Sequence, residues 1–106
     1  MHFYSFDIGD YYSHTMHLSC IEDLAYRRLL DACYTHEKPL ITDLKRLAKT
    51  IRMEDHQEEI TYILNEFFEL TENGSGWVNK RVCKEIAKVN DIKKKASEAA
   101  KKRWEQ

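Results

Sequence analysis

Residues 67–80 read FFELTENGSGWVNK, and their neighbours on both sides decide the fold. Phe68 and Leu70 alternate with Glu69 and Thr71, the period-two pattern of a half-buried strand. Glu72 to Gly76 then supplies residues tolerant of positive φ, after which Trp77 and Val78 resume the extended pattern. The stretch predicts a two-stranded hairpin.

Three helical patterns precede it. Ser19 followed by Glu22 has capping-box spacing, so a helix starts at Cys20 and ends near Glu37, before Pro39. Its faces carry Ile21, Leu24, Ala25, Leu29, Ala32 and Cys33, and beside them Tyr26, Leu30 and Tyr34, which makes it central to the core. Thr42 can cap a short second helix with Leu44, Leu47, Ala48 and Ile51 on one face and Lys45, Arg46, Lys49 and Arg52 on the other. Asp55 with Glu58 can cap a third, with Ile60, Ile63, Leu64 and Phe67 at helical spacing. Met1 to Leu18 follows neither period, and with a turn at Gly9-Asp10 it reads as a packed extended arm. Three helices followed by a hairpin are the order of a winged helix. The expected fold is therefore mainly α with a small β-hairpin, winged-helix-like, in which residues 1–90 form the domain. A long basic helix begins at Asn79 or Lys80, and residues 91–106 are its extension.

Charge is distributed unevenly along this chain of 106 residues and net charge −1. Lys80 to Gln106 holds ten basic and four acidic side chains (+6), and Met1 to Asn79 holds seven and 14 (−7). A basic helical tail on an acidic body points to a polyanion at one end and a protein partner at the other. Lys93, Lys94, Lys95, Lys101, Lys102 and Arg103 form a strip suited to phosphates, with weak sequence preference because such contacts position rather than specify. Lys80 and Arg81 begin it, and Trp104 can anchor a partner or stack on a base. Lys80 to Trp104 as one helix spans about 37 Å, more than a domain with a radius of gyration near 13 Å can cover. Residues beyond Asn90 are expected to stay mobile until they meet nucleic acid, or to pair across a homodimer.

The residues Phe6, Gly9, Asp10, Tyr11, Thr15, His17, Leu18, Ser19, Glu22, Ala25, Tyr26, Leu29, Leu30, Tyr34, Pro39 and Leu40 stand at spacings that resemble the YdaU family of prophage proteins. The Asn-Gly hairpin, the run Lys80 to Ile86 and the closing Ser97 to Trp104 are also similar to that family, so the resemblance covers nearly the whole chain. It implies a winged-helix-like domain from a phage replication initiator, related in context to lambda O-like initiators and helicase loaders. The implied role is origin or single-strand binding and recruitment of a replicative helicase or loader. No catalytic residues come with it, and the chain reads as one module of a longer protein. One departure has physical weight. The third helix opens with Glu54, Asp55, Glu58 and Glu59, which DNA would repel, so this helix is assigned to packing and protein contacts, with Glu54 and Glu58 as partner-binding residues. DNA contact then falls to Lys45, Arg46, Lys49 and Arg52, the wing, or the terminal helix.

Other chemistry is poorly supported. Cys20, Cys33 and Cys83 form neither a disulfide framework nor a zinc site, and reduced thiols in a cytoplasm account for them, with Cys20 as a small buried thiol. His14 and His17 lack a second ligand pair, and His17 is expected to make a structural hydrogen bond. Asp7 and Asp10 suit local backbone bonds, and Arg27 and Arg28 can pair with Asp31 or Asp23. Three scattered glycines cannot build a phosphate loop, and no apolar run approaches the roughly 20 residues that span a bilayer. The expectation is a cytoplasmic protein in the bacterial host, with no enzyme activity, no cofactor and no metal. It binds single- or double-stranded DNA. The alternative is an adaptor that oligomerises or recruits a host replication protein without binding DNA.

Overall fold

The computed structural model describes residues 7–104, with side chains through residue 101. Among the described residues there are five α-helices, α1 (Ile8–Thr15), α2 (Cys20–His36), α3 (Leu44–Thr50), α4 (Gln57–Phe67) and α5 (Lys80–Trp104). The strands are β1 (Leu40–Ile41), β2 (Glu69–Leu70) and β3 (Gly76–Val78).

α1 replaces the expected extended arm over residues 8–15. Asp7 caps it, its carboxylate accepting the Asp10 N–H at 3.0 Å, and Asp10 places a second negative charge in the first turn, where the helix dipole favours it. The Gly9-Asp10 pair is thus a helix start and not a turn. Phe3, Tyr4 and Phe6 of that arm lie outside the described residues. Tyr11 fixes α1 to α2: its ring lies 5.6 Å from that of Tyr26, and its hydroxyl donates to the Asp23 carboxylate. The capping box of α2 forms as expected, with Ser19 Oγ accepting the Glu22 N–H at 3.2 Å and Glu22 Oε1 accepting the Ser19 N–H at 2.8 Å.

The second helix starts one residue later than its pattern suggested, because Asp43 and not Thr42 accepts the Arg46 N–H, at 3.2 Å. The third starts later still. Met53, buried to 3% exposure, donates its N–H to the Ala48 carbonyl at 2.8 Å, and this draws Glu54–His56 into a 3₁₀ turn ahead of α4. Asp55 therefore sits inside the turn, and no side chain caps α4. Leu29 from α2, Leu47 from α3, and Ile60 and Ile63 from α4 are the largest fully buried side chains, so these three helices share one core. Each such burial stabilises by about 1.5–3 kcal/mol.

The sheet has three strands and not two. β3 lies between β1 and β2, antiparallel to both, with Leu40 opposite Trp77 and Glu69 opposite Val78. β1 is two residues long, too short to show a period, which hid it in the sequence. Gly76 is required here by space, since a Cβ on it would stand 2.6 Å from Pro39 Cβ. At the hairpin tip Gly74 takes φ +68°.

α5 begins under Asn79, whose Oδ1 accepts the Val82 N–H at 3.1 Å and whose Nδ2 donates to the Phe67 carbonyl at 3.0 Å. Val82 is buried, and the Tyr34 hydroxyl donates to Glu85 at 2.8 Å, tying the first turns of α5 to α2. Beyond Val89 every residue through Lys101 is exposed, so the helix leaves the body. The molecule measures 59 × 32 × 24 Å with a radius of gyration of 16.7 Å, above the roughly 13 Å of a compact chain this long.

Candidate nucleic-acid interface

Three groups of cations are placed by three different elements. Lys45, Arg46 and Lys49 are exposed on α3, opposite its buried Leu47 and Ala48, and Arg52 is exposed in the turn that follows. Arg52 takes φ 59°, the left-handed conformation that ends α3 and redirects the chain into α4. Arg28 holds this turn from α2: its Nη1 donates to the carbonyls of Ile51 at 3.0 Å and Arg52 at 3.2 Å. Arg27 stands over the Tyr11 ring at 5.3 Å. The sequence pattern missed Arg28 as a brace, because its partners are backbone carbonyls over 20 positions away.

The second group is Lys80 and Arg81 at the root of α5, and both face acids. Lys80 pairs with Glu69 of β2 at 3.2 Å, and Arg81 pairs with Asp10 of α1. These cations are partly neutralised within the molecule. They border a cavity of about 600 Å3 whose walls include Tyr26, Glu66 and Phe67. There the Tyr62 hydroxyl, and after it His17, holds the Glu66 carboxyl below its ordinary range, while burial raises the Tyr26 phenol. His17 makes the expected hydrogen bond, to Glu66 at 2.6 Å.

The third group lies on the free part of α5. Lys93, Lys94, Lys95 and Lys101 are all exposed, and only Lys95 has an ion pair among the described residues, with Asp91 at 3.2 Å. That pair joins exposed side chains four residues apart and is worth about 0.3–0.5 kcal/mol. Lys94 and Lys101 are seven residues apart, two helical turns, and share a face with Lys93 at its edge. The helix therefore presents cations with no carboxylate committed to Lys93, Lys94 or Lys101 among the described residues. Lys102, Arg103 and Trp104 continue α5, but their side chains lie outside the described residues.

Glu54, Asp55 and Glu58 are exposed around the start of α4, and Glu59 is half-buried with His56 at 3.8 Å. Carboxylates are favoured at a helix N-terminus, which gives them a structural reason as well. Cys20 and Cys83 are exposed, and Cys33 is buried. The sequence reading of Cys20 as buried fails because it is the first residue of α2, on the outer side of the capping box. No group of three or more metal-ligating side chains occurs among the described residues, and no helix among them is long and apolar enough to cross a membrane.

A small helical body with a three-stranded sheet and a projecting cationic helix is the class of protein these elements define. The chain belongs to the family described as "Protein of unknown function (DUF1376)", which matches over residues 2–87. It is similar to "Uncharacterized protein YdaU" of Escherichia coli (strain K12), with 36% identity over 95 residues, covering 89% of this chain and 32% of the relative. The chain thus spans about a third of the length of that relative. No solved structure matches it.

Proposed function

We propose that this chain is a non-enzymatic DNA-binding and assembly module of a prophage replication initiator, gripping DNA through α5 with help from α3. The observation that carries the reading is the exposed strip Lys93, Lys94 and Lys101, cations without carboxylate partners among the described residues on a helix that has left the body. The order α2, β1, α3, α4, β2, β3, with β3 central in the sheet, supports a winged-helix body. In it α3 and α4 form the helix-turn-helix, and residues 69–79 form the wing. The replication context is part of this proposal and rests on the sequence resemblance to prophage proteins, the matched family itself being described only as of unknown function, and a helicase or its loader is the protein partner that context suggests.

Fluorescence anisotropy of short labelled single- and double-stranded DNA tests this. Binding at about 50 mM salt that weakens steeply toward about 200 mM is expected, with little dependence on base sequence. The exposed carboxylates Glu54, Asp55 and Glu58 favour a second reading, an adaptor whose acidic face meets a host replication protein. Absence of DNA binding at every salt concentration selects that reading over the first.

A further inference from the structure

Two cysteines far apart in the sequence face one space in the fold. Cys33 lies near the end of α2, and Cys83 lies in the first turn of α5, 50 positions later. The two helices are joined around them. Val82, next to Cys83, is buried, and Tyr34, next to Cys33, donates its hydroxyl to Glu85 at 2.8 Å. A groove of about 310 Å3 runs along this seam, walled by Trp77, Val82 and Ile86 and by both cysteines. Cys83 also opposes the ionisation of Cys33, after burial the second cause of its raised pKa, as short-range coupling between neighbouring thiols requires.

Their difference in exposure assigns their roles. Cys83 is exposed, so its thiolate can meet a reagent from solvent, whereas Cys33 is 4% exposed and stays a neutral thiol. Cys20 is exposed as well, but it begins α2, 13 residues or about 20 Å along the helix from Cys33. It is out of reach of the pair.

We infer that Cys33 and Cys83 are a reversible disulfide pair, which staples the root of α5 to α2 when the chain meets a low-molecular-weight disulfide. The Cys83 thiolate attacks one sulfur of that disulfide, whose S–S bond breaks, and one small thiolate leaves. Cys33 then attacks the Cys83 sulfur of the mixed disulfide, its proton passing to the second departing thiolate. Two cysteine thiols are oxidised, and one small disulfide is reduced to two thiols. The cross-link closes a long loop, which restricts the unfolded chain and so stabilises the folded one. This goes beyond DNA binding and does not depend on it, since the pair sits on the body and Lys93, Lys94 and Lys101 lie on the free part of α5.

Oxidised glutathione added to a Cys20→Ser variant, which keeps only these two thiols, tests it. The intact mass should fall by two hydrogens with no glutathione retained, and non-reducing peptide mapping should join Cys33 to Cys83 within one chain. The melting temperature should rise by at least about 5 °C and return on addition of a reducing thiol. Cys33→Ala on that background should stop at the glutathione adduct of Cys83. Two unreacted thiols, a lasting adduct on Cys83 beside a free Cys33, or a Cys83–Cys83 bond between two chains would each overturn the inference. A cross-link that fails to raise the melting temperature also overturns it, because it would have formed in an opened chain and not across the native seam.

Discussion

Asn79 joins two helices through one side chain at the point where β3 ends. It caps α5 through Oδ1, ties the end of α4 through Nδ2, and follows directly on β3, all at 5% exposure. Asn79→Ala removes the cap and leaves the Phe67 carbonyl without its partner, so it should destabilise by about 1–3 kcal/mol in chemical denaturation. Asn79→Ser keeps a cap acceptor without setting a second oxygen against the Phe67 carbonyl and should fall between Asn79 and Asn79→Ala, whereas equal losses would show that the cap contributes nothing. Cys33 is the second residue with a sharp signature. Burial, and after it the neighbouring Cys83, pushes its thiol up to about 12 from 9.0. A raised folded pKa means the native state keeps its proton after the unfolded chain has lost it. The stabilisation is complete below pH 9 and is lost as pH rises from about 9 toward about 12. In the native protein a thiol reagent should label Cys20 and Cys83 rapidly and Cys33 only on unfolding, and Cys33→Ala should flatten the alkaline decline. Rapid labelling of all three, or an unchanged slope, would contradict the assignment.

Among the elements, those with long apolar repeats were legible in the sequence, and those defined by two or three residues were not. Leu29, Leu47, Ile60 and Ile63 mark the cores of α2, α3 and α4 through their spacing alone. α1 escaped notice because its stripe of Ile8, Tyr12 and Met16 faces outward while Tyr11 and Thr15 face in, which blurs the period. β1 and the 3₁₀ turn are set by tertiary contacts, namely the close approach of Gly76 to Pro39 and the burial of Met53, which no local pattern announces. The cationic site was readable as charge, but its pairing was not: Glu69 and Asp10 neutralise Lys80 and Arg81 across gaps of 11 residues and more. At this scale the free part of α5 should contribute nothing to the stability of the body. Removing residues 91–106 should leave the melting temperature of the body unchanged, since residues 91–101 are all exposed. A fall of several degrees in differential scanning calorimetry would mean that the tail packs on the body after all.

At the scale of the whole molecule, an elongated shape of 59 × 32 × 24 Å separates an acidic body from a basic helix. On the proposed reading, the body's excess of carboxylates repels a polyanion from most of its surface, and the tail's cationic strip reaches past that repulsion. The decisive quantity is the salt dependence of DNA affinity for the intact chain compared with a Lys93→Gln, Lys94→Gln, Lys101→Gln variant. Each phosphate contact adds about 0.9 to the slope of log affinity against log salt on duplex DNA, so the triple variant should lose up to about 2.7. Equal slopes for the two proteins would contradict the claim that α5 grips the polyanion.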